Sequence, residues 1–182
     1  ALHLDGGTHT ITNADFVGNT GYVHGGGASC WDALATFDGC TFDANWAGYD
    51  GGGLYAGFTI LPDIIGCEFT DNEADGQGGA VFMEEGTTLG SIEGSVFTGN
   101  AAPVGAAVCM GLGASPSVTN CTFSGNVGAA ATHFDDSSSD VTNSILAFTN
   151  GGGAASCGGT HTPLFRHCCV YGNAAGDSLC GD

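Results

Sequence analysis

The sequence predicts a right-handed parallel β-helix, an all-β solenoid of about seven coils with three short strands in each coil. Three observations support this prediction. A Phe-x-x-Asn motif recurs along the chain, a glycine-rich marker stands between its copies, and apolar residues alternate with a period of two over short stretches. A repeat that stacks like on like is typical of a solenoid. Three faces and coils of this length are typical of its right-handed form.

The Phe-x-x-Asn motif sets the repeat, with copies spaced roughly 23–28 residues apart. The aromatic positions are Phe16, Phe42, Phe69, Phe97 and Phe123. The amide positions are Asn19, Asn45, Asn72, Asn100 and Asn126, and Asn173 closes the series after a weaker copy at 146–150. Adjacent coils of a solenoid lie ~4.8 Å apart. We therefore expect a ladder of stacked rings and a ladder of hydrogen-bonded amides.

The glycine-rich marker, as in Gly51-Gly52-Gly53, precedes a strand whose side chains alternate. The first inward column is predicted to hold Ala28, Leu54, Val81, Val108, Ala131 and Ala155. The second is predicted to hold Cys30, Ala56, Met83, Met110, His133 and Cys157. Successive strand residues point to opposite faces. Tyr55 and Phe82, which lie between these columns, are therefore expected to face outwards.

Three residues before each motif stands a residue type that tolerates positive φ. These positions are Asn13, Gly39, Gly66, Gly94, Asn120, Asn143 and His167. The pattern predicts that the chain turns a corner there in every coil.

Length and composition exclude several classes of protein. The 182 residues favour one domain, 1–182, in which no cap is visible. One Lys or Arg against 19 Asp and Glu gives a net charge of −18, which disfavours nucleic acid as a partner. The sequence contains no run of ~18 apolar residues, so membrane insertion is not expected. Nine cysteines favour an oxidising, extracellular location.

The pairing of Phe-x-x-Asn with Gly78-Gly79-Ala80-Val81 resembles the repeats of polymorphic outer-membrane-protein passengers and of bacterial right-handed β-helix repeat proteins. The tail around Cys168 and Asn173 is similar to the closing coils of secreted bacterial proteins of this type. The resemblance implies a β-helix at the cell surface or outside the cell, and it implies little about activity.

Three functions are compatible with these patterns. The first is a non-catalytic building block that stacks end to end into a homo-oligomeric filament or layer, because Ala1 and Cys180 align to the same column of the repeat. The second is an adhesin or glycan-binding fragment of a longer secreted protein, with Tyr55 and Phe82 as its binding patch. The third is a carbohydrate-active enzyme.

An enzyme of the third kind would need clustered carboxylates on one outward face. The candidate pairs are Glu84 with Glu85 and Asp135 with Asp136. Both pairs follow a predicted inward strand, where solvated loop residues are expected. We therefore predict that the protein is not an enzyme.

Metal and disulfide sites are only weakly indicated. The acidic turn at 71–76 partly resembles the start of an EF-hand loop, but Phe82 stands where the bidentate Glu is needed. We expect no cofactor beyond loosely bound Ca²⁺. Cys169 and Cys180 are predicted to form a disulfide that fastens the last coil, whereas Cys40 and Cys67 are expected to be core thiols or a strained bond.

Overall fold

The computed structural model describes residues 1–58, 60–85 and 90–180. Within these ranges every regular element is a β-strand, and every strand pairing is parallel. Three sheets contain seven strands each, and successive members of a sheet come from successive coils. A fourth sheet of three strands extends the first three coils. The predicted fold class, a right-handed parallel β-helix, is confirmed.

The strands follow one another round the coil in a fixed order. Sheet 1 contains β1 (Leu2–Asp5), β5 (Ala28–Trp31), β9 (Leu54–Gly57), β13 (Val81–Met83), β16 (Val108–Met110), β19 (Ala130–Asp135) and β22 (Gly153–Gly158). Sheet 2 contains β2 (Thr8–Thr12), β6 (Leu34–Asp38), β10 (Asp63–Ile65), β14 (Ser91–Glu93), β17 (Ser117–Thr119), β20 (Asp140–Thr142) and β23 (Leu164–Arg166). Sheet 3 contains β3 (Asp15–Val17), β7 (Thr41–Asp43), β11 (Glu68–Thr70), β15 (Val96–Thr98), β18 (Thr122–Ser124), β21 (Ile145–Ala147) and β24 (Cys169–Tyr171). The small fourth sheet contains β4 (Thr20–Gly21), β8 (Trp46–Ala47) and β12 (Glu73–Ala74).

The motif phenylalanines form one stack through the core, on sheet 3. Neighbouring rings along the series Phe16, Phe42, Phe69, Phe97 and Phe123 lie 4.6, 4.6, 4.9 and 4.8 Å apart between centroids. Their planes differ by at most 12°. This spacing is the distance between coils, so in-register stacking alone brings the rings together.

The motif asparagines form a second ladder beside the rings. The backbone N–H and the Nδ2 of Asn45 both donate to Oδ1 of Asn72, at 3.1 and 2.8 Å. Nδ2 of Asn45 also donates to the carbonyl oxygen of Phe16, at 2.8 Å. Asn72 and Asn100 repeat all three bonds with their own neighbours. Each amide therefore satisfies backbone groups that the corner would otherwise leave unpaired.

The amide ladder is interrupted at Thr149, which occupies the Asn position of the sixth coil. A threonine cannot supply the amide oxygen that the preceding Asn126 would use. Its own Oγ1 is buried and has no hydrogen-bond partner among the described residues. The ladder resumes at Asn173, whose Oδ1 accepts the N–H of Thr149 at 3.0 Å.

The corner residues adopt the predicted conformation. All seven positions from Asn13 to His167 have φ between 50° and 62°. A second corner precedes each position of the asparagine ladder, including the position held by Thr149, and Ala44, Asp71 and Phe148 adopt positive φ there.

The register of β19 corrects one expectation. Val108 pairs with Thr132, Cys109 with His133 and Met110 with Phe134. His133, expected to point inwards, is therefore on the outer face, whereas Phe134 is fully buried. The turn before this strand is one residue longer than the sequence alignment assumed, so Thr132 takes the inward position expected for Ala131. Placing a phenyl ring in the core is also more favourable than burying an imidazole.

The predicted Cys169–Cys180 disulfide is wrong, because Cys180 is bonded to Cys157 with a Cα–Cα distance of 5.4 Å. Cys169 is exposed on the outside of β24. The tail after β24 turns back over the core, and Leu179 and Cys180 pack against it. The last coil thus has a short cap that the sequence did not reveal. Cys40 and Cys67 are free thiols buried in the core.

In the part of the chain that the structure describes, there is no helix with the length and apolar character needed to cross a membrane.

Candidate functional site

The outer face of sheet 1 carries a second apolar cluster, separate from the core inside the coils. Tyr55, Phe82 and Cys109 are its buried members, with Trp31 and Val104 packed against them. Tyr55 is 1% exposed and Phe82 is 6% exposed. The prediction that these two rings form an open binding patch is therefore wrong: they face outwards, but neighbouring chain segments cover them.

The cover comes from the turns that precede the sheet-1 strands. The ring of His24 stacks on the ring of Tyr55, with centroids 4.3 Å apart. Oε1 of Gln77 accepts a hydrogen bond from the thiol of Cys109 at 3.3 Å. Parallel bridges join His24 to Asp50 and Gln77 to Val104. The turns of successive coils thus stack into a wall along one edge of the face.

A run of aromatic contacts crosses this face from the wall to the far corner. Tyr49 meets His24 edge-on at 5.9 Å, and beyond Tyr55 the ring of Trp31 lies 5.0 Å from Tyr55 and 5.0 Å from Phe58. The two ends of the run are open to solvent, because Tyr49 is 62% and Phe58 is 53% exposed. The accessible aromatic surface is therefore formed by Tyr49, Trp31 and Phe58.

Tyr55 is fixed by a carboxylate. Its hydroxyl donates to Oε2 of Glu84 at 2.5 Å. Burial, followed by the hydrogen bond to Glu84, raises the pKa of the Tyr55 phenol well above its usual range. The ring fits because residue 57 is glycine: a Cβ there would lie 2.8 Å from the Tyr55 hydroxyl oxygen.

Asp50 places a second, nearly buried carboxylate at the wall. Its Oδ1 accepts the N–H of Gln77 at 2.9 Å, and its Oδ2 lies 3.6 Å from Nδ1 of His24. Desolvation raises the pKa of Asp50, although the Gln77 N–H and the His24 charge act in the opposite direction. The carboxyl faces a groove of about 620 Å³ that is also lined by Tyr49, Asp75 and His133.

A second cavity of about 300 Å³ lies at the opposite end of the aromatic run. Its lining consists of His3, Asp5, Trp31, Asp32 and Phe58. Nδ1 of His3 is 2.8 Å from Oγ of Ser29, so the imidazole is held at the rim.

Two of the four candidate catalytic carboxylates, Glu84 and Asp136, already accept hydrogen bonds from other parts of the fold. Glu84 is engaged with Tyr55, while its neighbour Glu85 is exposed. Oδ1 of Asp136 accepts the N–H groups of Thr160 and His161 at 2.7 and 2.9 Å. These bonds, those of His161 first, hold the pKa of Asp136 well below its usual range. Asp136 thus closes a corner between two coils.

In the candidate calcium turn at 71–76, Asn72 belongs to the amide ladder and so has a structural role. Among the described residues, no group of three or more His, Cys, Asp or Glu side chains is arranged to hold a metal ion.

The model of the right handed beta helix region matches residues 27–181. The chain belongs to the right-handed β-helix family. No curated protein and no solved structure matches the chain. Because one fold can host many functions, the activity of this β-helix has to be argued from its own surface.

Sequence reasoning missed most of the residues that form this surface. Trp31 follows outward-facing Ser29 by two residues, so strand alternation could have placed it beside Tyr55. Tyr49, His24 and Asp50 could not be placed in this way, because they lie in turns. On this face of the β-helix the rings can pack against apolar groups, and the carboxylates beside them can accept hydrogen bonds from hydroxyl or amino groups.

Proposed function

We propose that this β-helix is an extracellular, non-catalytic binding module that holds carbohydrate on the outer face of sheet 1. The observation that carries the proposal is the run of ring contacts from Tyr49 to Phe58, with exposed rings at both ends and a carboxylate-lined cavity beside each. Binding sites are commonly concave and largely apolar, with a few placed polar groups.

The chemistry of the surface favours a sugar over other ligands. One face of a pyranose ring presents C–H groups that pack on an aromatic ring, while its hydroxyls donate to carboxylates. The net charge of −18 opposes phosphate or sulfate groups. Neutral or basic sugars are therefore the expected class.

Two further features support an extracellular location and a non-catalytic role. The Cys157–Cys180 disulfide suits an oxidising compartment outside the cytosol. Glu84 accepts a hydrogen bond from Tyr55, and Asp136 accepts hydrogen bonds from the backbone at 160–161. Both carboxylates thus have structural roles, which favours a binding function over hydrolysis.

The test is a glycan array followed by calorimetry on the best ligands. We expect Tyr49→Ala and Trp31→Ala each to weaken binding by about tenfold or more, as loss of a central aromatic contact does. Tyr171→Ala is the matched control, because Tyr171 is an exposed ring on sheet 3. An array without any ligand, or equal losses in all three variants, would refute the proposal.

End-to-end stacking of copies is a second proposal. The regular repeat favours it, because a further coil could continue the same phenylalanine and asparagine ladders. A second copy would have to displace the tail at 174–180, which covers the last coil. Stacking therefore predicts filaments only when that tail is released. Electron microscopy of the Cys157→Ser/Cys180→Ser variant beside wild type tests this, and particles without filaments in both samples would exclude it.

A further inference from the structure

The cavity at the Phe58 end combines two aromatic rings with two carboxylates. The rings of Trp31 and Phe58 meet at 51° with centroids 5.0 Å apart, so they form two walls of a corner. The carboxylates of Asp5 and Asp32 line the same space of about 300 Å³. Ring faces carry negative electrostatic potential. Both rings and both carboxylates therefore favour a positively charged ligand.

Phe58 occupies its position at a cost to the fold. It is the residue that follows β9, and its backbone φ is 71°. The equivalent positions in four of the other coils hold Gly6, Asp32, Asp136 and Gly159, all with φ between 49° and 73°. Glycine and aspartate adopt this conformation readily, whereas a bulky aromatic residue is strained there. Backbone strain of this kind at a residue that lines a cavity supports the assignment of a ligand-binding position.

We propose that this cavity binds the protonated amino group of an amino sugar. The inference rests on the proposed carbohydrate-binding function and names the class of sugar. The ammonium group would lie against the face of Trp31, within the ~6 Å over which a cation–π contact acts. Asp5 and Asp32 would accept its hydrogen bonds.

An organic cation fits this lining better than a metal ion does. Calcium requires six to eight oxygen ligands around it. Here ring faces occupy one side of the cavity, and they suit a cation that also carries C–H groups. An ammonium on a pyranose ring has both features.

The test compares glucosamine oligosaccharides with N-acetylated oligosaccharides of the same length by calorimetry on the intact chain. We expect the protonated oligomer to bind about tenfold more tightly or better, because acetylation removes the charge. Raising the salt concentration should reduce this advantage. Equal affinities would refute the cation inference and leave carbohydrate binding intact. Failure of both oligomers and of every neutral glycan would refute the proposed function as well.

Variants separate a specific cavity from general attraction to an acidic protein. Phe58→Gly should abolish the preference for the charged oligomer while relieving backbone strain, so the fold stays stable. Phe148→Gly is the control, because Phe148 is 54% exposed with φ 56° and packs on Tyr171 instead. Neither variant changes the net charge. A preference retained in Phe58→Gly would overturn the proposal.

The carboxylates need a charge-matched control. Asp5→Asn/Asp32→Asn should remove the preference, whereas Asp15→Asn/Asp38→Asn removes two exposed carboxylates from other sheets and should keep it. Equal losses in the two double variants would show that only the overall charge attracts the oligomer, and this would also overturn the proposal.

Discussion

Asp177 accepts hydrogen bonds from Asn173 in the way that an asparagine of the next coil does elsewhere in the ladder. Oδ1 of Asp177 accepts the backbone N–H of Asn173 at 3.0 Å and its Nδ2 at 2.9 Å. These are the two bonds that Asn72 accepts from Asn45. A residue of the tail thus supplies the oxygen that a further coil would provide, and its other oxygen accepts the N–H of Gly172 at 3.2 Å.

The first prediction concerns this carboxylate. Hydrogen bonds from the Asn173 backbone and side chain lower the pKa of Asp177. A depressed pKa in the folded state stabilises the fold above the unfolded pKa of about 3.9, and the contribution is lost as pH falls through the folded value. The melting temperature of wild type should therefore exceed that of Asp177→Ala at neutral pH and approach it in acid. Asp177→Asn should keep its advantage over Asp177→Ala at both pH values; a parallel fall would contradict this assignment.

The second prediction is that Thr149→Asn stabilises the protein. The amide would offer Oδ1 to Asn126 and a donor to the carbonyl of Phe123. It would also replace a buried hydroxyl that has no hydrogen-bond partner among the residues that the structure describes. We expect a gain of about 1–2 kcal/mol, from satisfied buried polar groups. Thr149→Val, which removes only the hydroxyl, should give a smaller gain. Thermal unfolding measures both, and a lower melting temperature for Thr149→Asn would contradict the ladder argument.

The third prediction uses the close approach at Gly57. In Gly57→Ala the new methyl group would lie 2.8 Å from the Tyr55 ring and 3.1 Å from Oε2 of Glu84. The ring must move, so we expect a loss of about 1–3 kcal/mol in stability and a changed near-ultraviolet dichroism spectrum. Gly153→Ala is the control, because its nearest contact would be 3.6 Å away. Equal behaviour of the two variants would refute the proposed packing.

The fourth prediction concerns the disulfide. Cys157 and Cys180 are 23 residues apart in sequence. Opening a loop of this length should lower the free energy of unfolding by about 3 kcal/mol. Denaturation of Cys157→Ser/Cys180→Ser measures this loss. Cys169→Ser, which replaces an exposed free thiol, should unfold like wild type, and a loss in that variant instead would point to a different pairing.

The fifth prediction is a ranking of thiol reactivity. Burial raises the pKa of Cys30 to about 12 and that of Cys67 and Cys121 to about 11, so these groups hold little thiolate at neutral pH. Cys169 is exposed. In the native protein a thiol reagent should label Cys169 first and the core cysteines only after unfolding. Rapid labelling of Cys67 would show that the core opens readily.

The fold was predictable because its ladders repeat in sequence. Each Phe and Asn position recurs at the coil length, and parallel in-register stacking then fixes the neighbours of both. The cap and the aromatic face were not predictable in this way. Cys180 and Asp177 lie in a tail without a repeat, and their partners depend on how it folds back. Tyr49 and Asp50 lie in turns whose path is set by contacts between coils.

The gap at Thr149 has a consequence for how the molecule comes apart. In a solenoid each coil interacts only with its neighbours, so stability is a sum of local couplings along one axis. A missing amide in the sixth coil weakens one of those couplings and divides the ladder into a long block and a short one. Opening is then expected to begin in the short block, beyond residue 149. The Cys157–Cys180 bond crosses this same block and limits how far it can fray before the rest unfolds.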